Sequence, residues 1–174
     1  MARIDTDYID SVVNDILTDL SINKPSIDVV RIASHYNIKI TSQTFDDDSS
    51  GFLLVKDGKA IIAINSETPI NRQRFTIGHE LGHYFLHVNN GDDLFLDKTL
   101  YHRNDKSSYG TIAKEIEANH FSASLLMPDK MIQQVIDEEQ LDLSDDLDLL
   151  LLSKKFAVSE KAMGYRLGNL GLCF

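Results

Sequence analysis

Apolar residues at Ile9, Val12, Val13, Ile16, Leu17 and Leu20 recur every three or four positions, the spacing of a buried stripe on one helix. A second helix is predicted through "NKPSIDVVRIASHYN", with Pro25 at an early helical position, apolar Ile27, Val30, Ile32 and Ala33, and an end near Asn37. The period then shortens to two. "IKITSQTF" alternates as a strand does, and "GFLLV", "KDG" and "KAIIAIN" read as a hairpin turning at Asp57-Gly58. The acidic run from Asp46 to Ser50 predicts an exposed loop between strands. Pro69 and Asn71 punctuate the chain before another helical stretch, "RFTIGHELGHYFLH". From Val88 to Gly110 no clean period is visible, which predicts a long loop with at most a short element. A helix follows from about Thr111 to Leu126 and stops before Met127-Pro128, and another opens at Pro128 and runs through Ile136. Two short helices, "LLLLSKKFA" and "SEKAMGYRLGNLG", close the chain.

Composition narrows the function classes. With 174 residues and 43% apolar content the chain can bury one sizeable core. Its net charge of −10 argues against sequence-independent affinity for nucleic acid, which needs cations in excess. The single cysteine, Cys173, allows neither an intramolecular disulfide nor a cysteine-based zinc knuckle. Acids stand in "MARIDTDYIDSVVNDIL" where a secretory signal needs an apolar stretch, and the longest apolar run, Leu149 to Leu152, is far short of a membrane span. A cytoplasmic protein with no membrane association is expected.

The chemistry is concentrated in His79-Glu80-Leu81-Gly82-His83, the HExxH pattern. Four residues of helix advance ~400°, which leaves the two imidazoles within ~40° of each other and ~6 Å apart along the axis, close enough for one ion. Glu80, one step round from His79, then reaches the attacking water as general base without ligating the metal. His87 lies ~12 Å along the axis from His79 and ~80° away, so it is expected to pack near the site as a supporting residue. Gly78 and Gly82 each cost roughly 1 kcal/mol against alanine in a helix, so another backbone or a substrate should approach that face.

A further ligand is available in "TIAKEIEANHFSASLLMP". Glu115 is preferred because it shares a face with Asn119, which could orient an imidazole through its other nitrogen; Glu117 is the runner-up. His120 is expected to be a packed or surface histidine. Zinc is the expected ion, although a His/His/Glu set also accepts manganese or iron.

"NRQRFTIGHELGHYFLH" followed by "EIEANHFSASLLMP", with "GFLLVKDGKAIIAIN" upstream, resembles the ImmA/IrrE family of metallopeptidases from bacteria, phages and mobile elements. The resemblance spans roughly Ser26 to Pro128. It implies an α+β, zincin-like fold: a small, mostly antiparallel sheet packed on the HExxH helix, with the third ligand on the next long helix. The expected division is a metallopeptidase domain over 1–136, comprising helices over 5–36, a sheet over 37–65, an active-site helix over 71–88 and a third-ligand helix over 111–126. A helical segment over 137–174 follows. Family members typically cleave a helix-turn-helix repressor, often encoded beside them. That implies a zinc endopeptidase relieving repression; the alternative is an anti-repressor that disables its partner by binding alone. Asn119 stands where some related zincins have Asp.

In zincins the strand before the active-site helix often receives the substrate as an added strand, so Ala63, Ile64 and Asn65 are candidates for a substrate-binding edge, with an interior core strand as the rival reading. Tyr109, Tyr101 and His102 are candidates to stabilise the oxyanion. The last two helices have a helix-turn-helix cadence with Lys161 and Arg166 on the second, which taken alone suggests DNA reading; the acidity of the chain makes DNA binding the weaker expectation.

Overall fold

The computed structural model describes residues 4–45, 49–88, 93–96 and 108–172, with backbone alone at 93, 94, 96 and 108–110. Helix α1 (Thr6–Asp19) starts where Asp5 accepts a hydrogen bond from the Tyr8 amide at 3.0 Å. It buries Ile9, Val13, Ile16 and Leu17, as the stripe predicts. Helix α2 (Val29–His35) starts later than Pro25 suggests, because Asp28 caps it by accepting from the Arg31 amide at 2.9 Å. An acid in that position is worth about 1 kcal/mol, which a proline three residues earlier does not supply.

Strands β1 (Ile38–Gln43), β2 (Gly51–Lys56), β3 (Lys59–Asn65) and β4 (Asp93–Leu96) form one sheet in the order β1-β3-β2-β4. The β1–β3 pairing is parallel, and the β2–β3 and β2–β4 pairings are antiparallel. Asp57 and Gly58 both take positive φ, 50° and 70°, which the right-handed strand twist favours in a two-residue hairpin turn. Strand β4 falls in the stretch without visible period; its "DLFL" is too short for alternation to register.

The sheet order corrects one expectation. Strand β3, carrying Ala63, Ile64 and Asn65, has a neighbour on each side and offers no open edge to a substrate. Its residues from Ala60 onward are buried or half-buried, the property of a central strand and the reason "AIIAI" runs apolar without alternating. The open edges among the described strands belong to β1 and β4.

Helix α3 (Ile70–His87) carries the HExxH residues and packs along α4 (Ser108–Leu126). A Cβ on Gly78 would stand 2.6 Å from Ser122 Oγ, and one on Gly82 would stand 3.0 Å from Ala118 Cα. Both glycines therefore sit where α4 packs close against α3. Helices α5 (Asp129–Glu139), α6 (Asp146–Phe156) and α7 (Glu160–Asn169) complete the chain. Leu152, Phe156, Met163 and Leu167 from the last two lie in the same core cluster as Ile62, Leu81 and Phe121. Arg166, expected on an exposed reading helix, is 4% exposed and donates from Nε to the Met127 carbonyl at 3.0 Å. That side chain is spent on joining α7 to the end of α4 and cannot read a base. No helix among the described residues is long and apolar enough to cross a membrane.

Candidate metal centre

Helix α3 presents His79 and His83 on one face, and α4 brings Glu115 against them. The two Nε2 atoms are 3.0 Å apart; Glu115 Oε2 lies 3.2 Å from His79 Nε2 and Oε1 lies 3.3 Å from His83 Nε2. Donors bound at ~2.0–2.1 Å in a tetrahedral shell stand roughly 3.3–3.4 Å from one another. The spacing thus suits three corners of a zinc-sized tetrahedron, and the donor set is one that such a cation takes. These three residues are the cluster of possible metal ligands among the described residues.

The surroundings fix each group. Asn119 Oδ1 lies 3.1 Å from His79 Nδ1, placed to accept an N–H there when Nε2, which faces Glu115, binds an ion. His83 is stacked on Phe95 of β4, with centroids 4.7 Å apart and planes 17° from parallel. His79 and His83 are 4% and 1% exposed, and Glu80 is 0% exposed. Burial pushes the Glu115 carboxyl up, but hydrogen bonds from His79 and His83 outweigh it and bring the pKa down to about 2. The group is therefore an anion at neutral pH, as a ligand must be.

The remaining candidates separate. Glu117 Oε2 lies 3.6 Å from His87 Nε2, away from the triad. His87 is buried and donates from Nε2 to the Lys114 carbonyl at 3.2 Å; burial, then the neighbouring His83, lowers its pKa to about 4. His120 Nε2 meets Asp10 Oδ1 of α1 at 3.0 Å and takes no part in the centre. Tyr101 and His102 lie outside the described residues. Tyr109 belongs to α4, but its side chain is also outside them. Sequence reasoning missed Phe95, since nothing in an aperiodic stretch marks one phenylalanine as the neighbour of an imidazole on another element.

The Peptidase_M78 family model, described as the IrrE N-terminal-like domain, matches residues 33–168. "Uncharacterized immunity region protein 2" of Bacillus phage phi105 is 30% identical over 103 residues, covering 59% of this chain and 60% of that protein. A "Mycobacterium tuberculosis transcriptional regulator" superposes with a TM-score of 0.60 at 14% identity, over 92% of this chain and 47% of that one. The chain thus spans about half to three fifths of the length of these two proteins, and the second likeness concerns the fold alone. With most of its length matched by the family model, the chain belongs to the Peptidase_M78 family of IrrE N-terminal-like domains.

Proposed function

We propose that the protein is a zinc-dependent endopeptidase of the cytoplasm that cuts a helix-turn-helix transcriptional repressor at a defined bond and so relieves repression. The observation that carries this reading is the convergence of His79 Nε2, His83 Nε2 and the Glu115 carboxylate at 3.0–3.3 Å, with Glu80 buried one position from His79. Family membership supports peptide hydrolysis, and the phage immunity-region relative is consistent with a repressor as partner.

His79, His83 and Glu115 would hold the ion. Zinc there would supply Lewis-acid chemistry, acidifying a water and polarising the scissile carbonyl. Asn119 keeps His79 in the tautomer whose Nε2 is free to bind, and Phe95 holds the plane of His83. Glu80 accepts the proton of the attacking water and returns it to the leaving amine. An extended peptide adds to the edge of β4 that is open among the described strands, beside Phe95, in the role first assigned to β3. Tyr109, Tyr101 or His102 would steady the oxyanion.

The test is incubation of the chain with candidate helix-turn-helix repressors, any encoded beside it first. Site-specific fragments should appear with zinc and disappear with chelator or with Glu80→Gln. Derepression without fragments, surviving Glu80→Gln, would instead make the protein a non-proteolytic anti-repressor.

A further inference from the structure

A groove of about 650 Å³ lies beside the metal centre, between the first turns of α3, the second half of α4, and α7. Such a volume is ordinary for a ligand site. Its walls are largely apolar, with Phe75, Ala123, Leu126, Val158, Ala162 and Tyr165 among them. Asn119 lines it too, and Asn119 is the residue that holds His79. Helical geometry makes the groove continuous with the site face: Arg72, Phe75 and His79 lie within ~60° of one another on α3, and Glu115, Asn119 and Leu126 within ~40° on α4.

Charge identifies the occupant. The chain has 27 acidic and 17 basic residues, yet among the described residues no carboxylate lines this groove, while the exposed Arg72 and Lys161 do. The Arg72 guanidinium donates to Ser50 Oγ and lies over the Phe75 ring; the Lys161 ammonium lies over the Tyr165 ring. None of these partners carries a charge, so both cations still attract an anion. Tyr165 is 66% exposed, so much of its aromatic surface is open to solvent at the groove.

We propose that this groove is a specificity subsite that seats an apolar segment of the protein substrate bearing acidic side chains. The proposal rests on the endopeptidase reading. The groove begins one helical turn from the Glu115 level and reaches Leu126, ~6 to ~16 Å along α4, which corresponds to roughly two to five residues of extended chain from the scissile bond. The apolar walls take the hydrophobic side chains, and Arg72 and Lys161 take the carboxylates.

The experiment is a titration of the ¹⁵N-labelled, full-length Glu80→Gln chain with an acetylated, amidated peptide, Leu-Asp-Leu-Phe-Glu-Leu, and with a control in which both acids are replaced by Lys. The acidic peptide should shift the amides of Ala123, Ala162 and Tyr165 and bind at least tenfold more tightly than the basic one. Ala162→Trp should fill the groove and weaken binding at least tenfold; Lys161→Glu, at an exposed position, should reverse the preference even if the tryptophan variant does not fold. Equal binding of the two peptides, shifts confined to other surfaces, or indifference to Lys161→Glu would overturn the proposal. Repressor cleavage by the zinc-loaded wild type, accompanied by a silent groove, removes the subsite and leaves the peptidase. Groove binding without any cleavage keeps the site as an acidic-peptide dock and removes the peptidase.

Discussion

Asn119 Oδ1 lies 3.1 Å from His79 Nδ1, joining two helices through side chains forty positions apart in the sequence. On the proposed metal-centre reading, this contact would favour the tautomer whose Nε2 binds the ion, which gives Asn119 a positioning role. Asn119→Ala should weaken zinc affinity by about 10- to 100-fold, the usual effect of losing such a partner. Asn119→Asp should preserve or tighten it. Competition with a chromogenic chelator would measure both; equal affinity in the alanine variant would remove the assigned role.

Glu80 carries a separate prediction, because it is assigned to proton transfer and not to metal binding. Glu80→Gln should retain one equivalent of zinc by elemental analysis while slowing repressor cleavage by roughly 10²–10⁴-fold, the scale of general base catalysis. Loss of zinc from the variant would show that the residue shapes the site instead.

Glycine-to-alanine changes at the α3–α4 contact and on α7 should have opposite signs. At Gly82 the added Cβ would meet Ala118 Cα at 3.0 Å and the Ala118 carbonyl at 3.1 Å, backbone atoms that cannot turn aside. Gly82→Ala should therefore destabilise by about 1–3 kcal/mol, exceeding the ~1 kcal/mol gained in helix propensity. At Gly168 in α7 a Cβ meets nothing within 4 Å, so Gly168→Ala should stabilise by up to about 1 kcal/mol. Urea midpoints of the two variants test the pair together.

His87 gives the metal-free protein an acid-sensitive stability. Its folded pKa, about 4, is below the ordinary value of 6.5, chiefly through burial. The unfolded chain therefore binds more protons between those values, and stability present above pH 6.5 should be lost as pH falls toward 4. The loss is on the order of 2–4 kcal/mol. His87→Gln, which cannot charge, should flatten that limb of a urea-midpoint-against-pH curve recorded in chelator; an unchanged slope would assign it to other groups.

Zinc should also raise stability by mass action. Free zinc at a hundredfold excess over its Kd should add about 2.7 kcal/mol, visible as a higher Tm that chelator reverses. Glu115→Ala, lacking the α4 contribution to the cluster, should show little of that gain.

Much of the fold and the centre was legible without coordinates, and the reason is local geometry. Helical periodicity dictates that His79 and His83 share a face and that Glu115 and Asn119 share another, while Asp57-Gly58 dictates a tight hairpin. The glycines at 78 and 82 announced a close neighbour, though not which one. Tertiary packing alone decided the rest. Alternation within one strand does not say which strands flank it, so only the assembled sheet placed β3 at the interior and β4 at the edge. Only the meeting of distant elements set Phe95 against His83, buried Arg166 against Met127, and opened a groove beside Asn119. A residue's spacing fixes the direction its side chain points; what it meets there is determined by the long-range contacts that bury the common core.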